Sequence, residues 1–449
     1  MRNIIISLWL TFVLATACSV RGTTKPTPLT SEPVVRWNQL VMETAEAEDG
    51  FLTLKGLRTA TLMHLAIHDA LSNIQPRFQP YRLNHPEPEA DPLSALTQAA
   101  FALARSQYPD QVQRWSTERE RWLADVPQGR ARTLGLELGD RAAAAILAAR
   151  AGDGWDGEAE YRWHPMAPGV YAEFSDHSGT PEGFVFGAGW AEAEPFAINA
   201  PASLRVPPPP AIDGPAYAEA FDEVKRVGRD LSDERSPDQT HLALWWKDFA
   251  ENSHNRLARR LTLERGLTGV TANRLFALLN VAVFDAYVSS FNNKFFYNHW
   301  RPYTAIRWAE NDGNPATSAD PDWNNTHGHT YAFPSYPSAH GTACAAAMSA
   351  LAETFGDDMA FTMITAEVDM AGPLSGKRPM EPPGRQFNSF SEAAMECALS
   401  RVYLGIHFRY DSIEGNRLGH QVGEQVLQTL LLPMSGSDEL QGPHKNPGR

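Results

Sequence analysis

The feature that most constrains the fold is an apolar segment that occurs twice in the chain. Arg58 and Asp69 lie eleven residues apart in the first copy, Arg274 and Asp285 have the same spacing in the second, and an alanine follows each aspartate. Apolar side chains recur at three- and four-residue intervals in the first copy, which indicates a helix. A segment repeated in this way predicts two related helical units in one chain.

The segments around these copies divide the 449-residue chain into three parts. We interpret residues 37–151 as an N-terminal helical half, residues 152–216 as a Gly- and Pro-rich connecting segment and residues 217–434 as a C-terminal helical half. Strand-favouring patterns are scarce, so we predict an all-α protein. Long Gly- and Pro-rich tracts usually act as linkers or wrapping loops, and we expect this one to join the halves with little role in binding.

The N-terminus has the pattern of an export signal. Residues 1–17 combine a basic start, a short apolar run and small residues before Cys18, and the run is too short to span a bilayer. Residues 14–18 resemble a bacterial lipoprotein box that would acylate Cys18, but they equally suit ordinary cleavage. We predict an exported protein, periplasmic, lipid-anchored to the bacterial envelope or secreted, with residues 18–36 as a flexible tether and residues 435–449 as a disordered tail.

Charge and cysteine content narrow the partners. Lys and Arg number 39 against 53 Asp and Glu, for a formal net charge of −14, which argues against a nucleic-acid partner. Any anion site must therefore be a local basic cluster. Beyond residue 18 we find no long apolar run, so we expect membrane contact only through a lipid on Cys18. Cys344 and Cys397 are able to pair after export, but two cysteines in a chain this long are more often separate and buried, so the sequence leaves their pairing open.

The first basic cluster follows the second copy of the repeat. Lys294 and Arg301 are seven residues apart, close to two helical turns, so we expect both on one face of a helix that Pro302 ends. Two such cations usually mark a solvated face. Because aromatic residues surround them, we favour a partly buried and paired setting.

The second cluster is the stretch of residues 333–341, which ends in a run of small helix formers. Pro337 and Ser338 precede this run, and Ala339 and His340 begin it. Free N–H groups at a helix N-terminus attract oxyanions, and a histidine there is suited to proton transfer. The competing interpretation, of about equal weight from capping preferences alone, is that Ser338 is only a helix cap and His340 a surface residue.

The third cluster contains Arg401, His407 and Asp411. We predict that Arg401 ends one helix, that His407 lies in a connector, and that Asp411 is the N-cap of the next helix in a capping box with Glu414. A carboxylate at this position can also orient an imidazole and fix which of its nitrogens is free.

Together these clusters resemble a known signature. Lys-x6-Arg-Pro, Pro-Ser-x-His and Ser-Arg-x5-His-x3-Asp occur here in the order found in the superfamily of vanadium-dependent haloperoxidases and type 2 phosphatidic acid phosphatases. The longer stretches at residues 298–307, 333–338 and 405–409, the proline run at 207–210 and the segment at 68–70 are similar to the soluble bacterial haloperoxidase-like branch.

The resemblance implies a fold of two four-helix bundles with long irregular connecting loops. It also implies a set of residues that bind the oxygens of vanadate: Lys294, Arg301, Ser338, the backbone N–H of Ala339, and Arg401. His407 is implied as the residue bonded to vanadium, with His340 as the acid–base group. Asp411 is the carboxylate that we expect to orient His407. The family motif has glycine where this chain has Ala339, which keeps the N–H and adds a methyl group beside the anion.

The same pocket suits three functions. The resemblance favours a haloperoxidase that takes vanadate as cofactor and hydrogen peroxide and a halide as substrates. The first alternative is an exported acid phosphatase that needs no cofactor and hydrolyses phosphate esters through a phosphohistidine at His407. The second is a non-catalytic protein that only binds an anion. Electrostatics does not choose between the first two, because vanadate and a phosphoryl group are alike in shape and charge. The sequence gives no indication of the oligomeric state.

Overall fold

The computed structural model describes residues 29–50, 53–370 and 376–434. The predicted signal peptide, Cys18 and the C-terminal tail lie outside these residues. Part of the predicted tether, in contrast, lies within the described residues. The first helix begins at Glu32, and Val34 and Trp37 are fully buried, so residues 32–36 belong to the folded protein rather than to a flexible segment.

The described part of the chain is mostly helical, which confirms the all-α prediction. Its α-helices are α1 (Glu32–Asp49), α2 (Lys55–Ile74), α3 (Pro92–Gln107), α4 (Val112–Leu123), α5 (Arg130–Ala149), α6 (Ser175–Ser178), α7 (Pro215–Val227), α8 (Pro237–Trp245), α9 (Ala250–Glu264), α10 (Gly269–Tyr297), α11 (Pro302–Arg307), α12 (Ala339–Phe355), α13 (Phe390–Tyr403) and α14 (Arg409–Thr429).

The described residues between α12 and α13 form four short strands, although strand-favouring patterns are scarce in the sequence. β1 (Phe361–Ile364) pairs antiparallel with β4 (Gly384–Phe387), and β2 (Glu367–Asp369) pairs antiparallel with β3 (Lys377–Pro379). The register places Phe361 opposite Phe387, and both rings are buried. This aromatic pair attaches the strands to the helical core.

Each half of the chain contains a bundle. In the N-terminal bundle, α2 packs against α1, α3 and α5, and α3 packs closely against α5. In the C-terminal bundle, α12 packs against α10, α13 and α14, and α14 also packs against α10 and α13. The helix α10 also contacts α2, so it joins the two bundles. By length and composition α10 would suffice to cross a membrane, contrary to our sequence expectation, but 94% of its most apolar window is buried, as in the central helix of a protein core.

The repeated segments form α2 and α10, and their aspartates make equivalent hydrogen bonds to backbone N–H groups. Asp69 accepts hydrogen bonds from three consecutive backbone N–H groups, those of residues 81–83. Asp285 accepts three in the same pattern, from residues 196–198. Each carboxylate thereby fixes an irregular segment to its helix, and the second one fixes the connecting segment.

A buried polar network crosses the boundary between the halves. His64 of α2 lies 2.9 Å from the Oδ1 atom of Asn273 on α10 and 3.1 Å from the Nδ2 atom of Asn38 on α1. The Asn38 amide also donates to Asn255 on α9. Since buried polar groups are costly unless they are paired, this network specifies how the halves dock.

Candidate active site

His407 and Asp411 form a buried pair at the start of α14. The Nδ1 atom of His407 lies 2.8 Å from the Oδ2 atom of Asp411, and the Ser335 hydroxyl donates to the same oxygen. The helix begins at Arg409, with Phe408 at the N-cap position, so Asp411 lies inside the first turn. Our prediction that Asp411 is the N-cap was therefore wrong, because its carboxylate accepts from the Phe408 N–H and orients His407.

Arg301 determines which nitrogen of His407 is free. The Nη1 atom of Arg301 lies 3.1 Å from the Nε2 atom of His407, within hydrogen-bond distance. Arg301 also donates to the carbonyls of Ile406 and Phe333. A guanidinium only donates hydrogen bonds, so Nε2 must be the unprotonated nitrogen and Nδ1 the one that donates to Asp411. The Nη2 atom of Arg301 is buried and has no partner within the described residues.

Lys294 reaches the same region from the end of α10. Its ammonium group is fully buried and donates to the carbonyls of Pro334 and Ser335, at 3.0 and 2.7 Å. We predicted one helix through Lys294 and Arg301, and this was wrong. Asn298 adopts a left-handed conformation (φ 51°) that ends α10, and Arg301 immediately precedes α11, with Pro302 at its first position.

Ser338 begins α12 and is fully buried. Its hydroxyl accepts a hydrogen bond from the Gly341 N–H, as an N-cap does, and its own N–H donates to the carbonyl of Asp411. Ala339 and His340 are the first two residues of the helix. The Nε2 atom of His340 is buried and finds no partner in the described chain. A buried polar atom of this kind usually has a ligand or water partner.

Arg401 lies in the last turn of α13, as predicted, and donates to Ser400 and to the carbonyl of Trp246. Behind it, Cys397 of α13 and Cys344 of α12 form a disulfide. The sequence left this pairing open. Each cysteine is four residues from a site residue, His340 or Arg401, so the bond ties together the two helices that carry them.

Burial and positive charge control ionisation in this site. Burial, aided by Arg301, Lys294 and Arg401, lowers the pKa of His407 well below its ordinary value. Burial and Arg401 lower the pKa of His340 in the same way, and both imidazoles are therefore neutral. Burial raises the pKa of Asp411 to about 7. Taking cations out of water is unfavourable, and a bound anion would offset that cost.

A cavity of about 500 Å³ opens above these residues. Ala339, His340, Arg401 and His407 form its floor, while aromatic side chains from the connecting segment and from α10 form its walls. The other predicted site residues, Lys294, Arg301, Ser338 and Asp411, are buried, and Arg301 and Asp411 contact His407 of the cavity lining.

Sequence reasoning missed several residues of this region. Ser335 lies within the stretch we singled out, yet we gave it no role. Lys247 follows two tryptophans, an unusual aromatic and basic run that was a usable signal. Glu251, Tyr287 and His329 also line the cavity, and no local pattern distinguishes them from other helix and loop residues.

The fold is an all-α arrangement of helical bundles, and comparison with known proteins supports the predicted resemblance to the haloperoxidase and phosphatase superfamily. Residues 274–436 match a family model described as the VCPO second helical-bundle domain. The matched residues include all those that we predicted to form the site.

A curated relative supports the same resemblance. A vanadium chloroperoxidase of Curvularia inaequalis is 29% identical over 274 residues, which cover 48% of this chain and 44% of that enzyme. The chain therefore matches less than half the length of this curated relative.

Solved structures show the same fold along nearly the whole chain. The crystal structure of the first bacterial vanadium-dependent iodoperoxidase gives a TM-score of 0.72 at 20% identity, covering 92% of this chain and 99% of that one. A holo-type bacterial vanadium-dependent chloroperoxidase gives a TM-score of 0.65 at 18% identity, covering 89% and 98%. At these identities the likeness establishes the fold.

Proposed function

We propose that this protein is a vanadium-dependent haloperoxidase-like enzyme that uses hydrogen peroxide to oxidise a halide at vanadate bound to His407. The observation that carries the proposal is the position of His407, whose Nε2 atom lies 3.1 Å from Nη1 of Arg301 while its Nδ1 atom lies 2.8 Å from the carboxylate of Asp411. An imidazole oriented in this way is a ready ligand. The haloperoxidase relatives support the assignment as an enzyme.

The residues present fit a tetrahedral oxyanion. The buried Nη2 atom of Arg301 has no partner in the described structure, and the ammonium group of Lys294 donates to two neutral carbonyls. Burial, followed by the charge of Arg301, lowers the pKa of Lys294. Lys294, Arg301 and Arg401 would bind the anion's oxygens together with Ser338 and the Ala339 N–H.

When bound, vanadate supplies Lewis-acid activation of hydrogen peroxide. The protein's part is to bind, orient and move a proton. Asp411 keeps the proton of His407 on Nδ1, the three cations compensate negative charge, and the neutral Nε2 of His340 accepts a proton from peroxide. The aromatic walls of the cavity limit access of water.

The test begins with purified protein incubated with orthovanadate. We expect peroxide-dependent oxidation of iodide or bromide that is lost in His407→Ala and kept in the matched variant His85→Ala, since His85 is an exposed residue of the N-terminal half. Phosphate-ester hydrolysis without vanadate, inhibited by vanadate and unaccompanied by halide oxidation, would overturn the proposal in favour of a phosphatase. Absence of both activities and of oxyanion binding would leave a non-catalytic protein.

We further propose that the protein is exported. The pattern of residues 1–17 motivates this, and the Cys344–Cys397 disulfide supports it, since such bonds persist mainly in oxidising compartments. Fractionation of cells that express the full chain should place it outside the cytoplasm, and an intact N-terminus in the cytoplasmic fraction would contradict the proposal.

A further inference from the structure

Three side chains of the kinds that bind metal ions meet where α12 packs against α13. His340 and Cys344 lie one turn apart on α12, and Cys397 lies on α13. One ring nitrogen of His340 and the two sulfur atoms all lie within 4.8 Å of one another. In the described part of the chain, no other group of three or more His, Cys, Asp or Glu side chains is this compact. The cluster therefore brings together the donor atoms of a metal site.

The imidazole of His340 has unused binding capacity. Its Nε2 atom is buried and has no partner within the described residues, and a buried nitrogen of this kind indicates a place for a ligand. One of the two nitrogens of a neutral imidazole carries a lone pair, and histidine in this form is the commonest metal ligand. His340 also lines the cavity of about 500 Å³, which gives an ion a path from solvent to the cluster.

Helix packing holds the two cysteines in position as well as their disulfide does. Both residues are fully buried, and their Cα atoms lie 6.5 Å apart. Gly341 of α12 lets the two helices approach closely, since a Cβ atom there would lie 3.1 Å from the Cβ atom of Ala398 on α13. Opening the disulfide would therefore leave two thiols close together at a packed helix interface, with His340 beside them.

We propose that reduction of the Cys344–Cys397 disulfide creates a zinc site, in which both thiolates and His340 bind one Zn²⁺ ion. Two sulfur donors and one imidazole suit zinc, which is tetrahedral in proteins and takes water as a fourth ligand where the protein supplies three. Zinc bonds of about 2.0–2.3 Å place the donor atoms about 3.5–3.8 Å apart, so the imidazole must approach the sulfur atoms by about 1 Å. Because two thiolates balance the charge of the ion, the site stays neutral beside Arg401. The ion joins α12 to α13 when the disulfide is open.

The chemistry balances with one external dithiol as reductant. The dithiol gives two electrons and two protons to the disulfide, so the S–S bond breaks, two cysteine thiols form and the dithiol becomes a disulfide itself. The Zn²⁺ ion then displaces both thiol protons to solvent and forms two Zn–S bonds and one Zn–N bond. Zinc binding therefore competes with re-formation of the disulfide.

The test uses the full chain, reduced with dithiothreitol, desalted without oxygen and titrated with Zn²⁺ in competition with a chromophoric chelator. We expect the reduced protein to bind one zinc ion at least 100-fold more tightly than the oxidised protein does. Cys344→Ser should abolish this gain, and His340→Gln should weaken binding at least ten-fold. Reduced wild type also lacks the disulfide, so these variants differ from it only in a donor side chain. The matched control, Cys18→Ser, removes the remaining cysteine of the chain and should stay within two-fold of wild type.

Thermal unfolding gives a second readout that does not depend on the chelator. Zinc should raise the melting temperature of reduced wild type and leave those of oxidised wild type and reduced Cys344→Ser unchanged, because a ligand stabilises only the state that binds it. The inference is overturned if reduction does not tighten zinc binding, if Cys344→Ser binds as tightly as wild type, or if the thiols form only after unfolding. Neither measurement uses vanadate, peroxide or halide, so failure here leaves the proposed function intact.

Discussion

In the N-terminal bundle the carboxylate of Asp91 caps α3, and in the C-terminal bundle the hydroxyl of Ser338 caps α12. The surroundings of these two caps correspond. A Cβ atom on Gly135 of α5 would lie 2.6 Å from the Asp91 carbonyl, and one on Gly415 of α14 would lie 2.4 Å from the Ser338 carbonyl. Gly139 and Gly419, one turn later, approach the next turn of α3 and α12 in the same way.

The correspondence extends to the repeated helices. Arg58 of α2 donates to the carbonyl of Arg150, just after α5, and Arg274 of α10 donates to the carbonyl of Leu431, just after α14. Each arginine thus secures the end of the last helix in its own bundle. With the two aspartates that bind three N–H groups each, these contacts explain why arginine and aspartate recur at one spacing.

The difference between the bundles lies in charge at the capped helix. In the first bundle the anion is the protein's own Asp91, and Pro92, the next residue, offers no N–H. In the second the cap is neutral, Ala339 follows it at the first helical position, and the buried cation Arg401 lowers the pKa of His340 in the first turn. The N-terminal bundle thereby supplies its own anion at the helix N-terminus, and the C-terminal bundle leaves that position to a ligand.

The largest expected effect is the loss of stability on removing the repeated aspartates, which tests whether the repeat stabilises both halves. Asp69→Ala and Asp285→Ala each leave three N–H groups without their acceptor, and we expect each to lower the free energy of unfolding by about 4 kcal/mol. Denaturant titration measures both. A loss below about 1 kcal/mol in one half only would break the proposed equivalence.

Acid should weaken the contact between the halves. Burial lowers the pKa of His64 to about 4 from 6.5, so this histidine stays neutral in the folded protein while it takes up a proton in the unfolded chain below pH 6.5. The contribution of neutral His64 to the free energy of unfolding is complete above pH 6.5. It falls by about 3 kcal/mol as the pH decreases towards 4.

His68 and His254, whose pKa values burial also lowers to about 4, add to the same acid destabilisation. The specific measurement is therefore the difference in unfolding free energy between wild type and His64→Asn across pH 4 to 7. Parallel curves for the two proteins would show that His64 does not contribute.

Paired glycine substitutions sharpen the comparison. Gly135→Ala and Gly415→Ala each force a methyl group against a helix carbonyl, and we expect each to cost about 2 kcal/mol of stability. Only Gly415→Ala displaces Ser338, so it alone should weaken vanadate binding, by at least ten-fold. Equal effects of both variants on vanadate binding would place the anion elsewhere.

The smallest expected effect concerns a single N–H. Ala339→Pro reproduces the first bundle's Pro92 and is compatible with the first helical position. Loss of the N–H should weaken vanadate binding about ten-fold, equivalent to about 1.4 kcal/mol. Ala339→Gly keeps the N–H, restores the family motif and should stay within about three-fold. If proline binds vanadate as alanine does, the N–H plays no part.

Much of this organisation was predictable because it depends on local pattern. The arginine and aspartate of the repeat indicated two bundles, and three motifs gathered the site residues. The errors have physical causes. Asn298 ends α10 by adopting a left-handed conformation, which the seven-residue spacing of Lys294 and Arg301 does not reveal. The carboxylate of Asp411 binds Ser335, which is distant in sequence, and His407, which lies in the connector before α14.

Other features could not be read from the sequence because they exist only in three dimensions. The match between Asp91 and Ser338 rests on helix packing against glycines. The cavity wall near Phe186 comes from a stretch without periodicity, and the pairing of Cys344 with Cys397 depends on the placement of α12 beside α13.

The central claim is that the C-terminal bundle binds a tetrahedral oxyanion through His407, whereas the N-terminal bundle binds none. A crystal structure of the protein loaded with orthovanadate tests it most directly. We predict one vanadate, bonded to Nε2 of His407 and contacted by Arg301, Lys294, Arg401 and the Ala339 N–H. Vanadate bound elsewhere, or a site that stays empty at saturating orthovanadate, would contradict the claim.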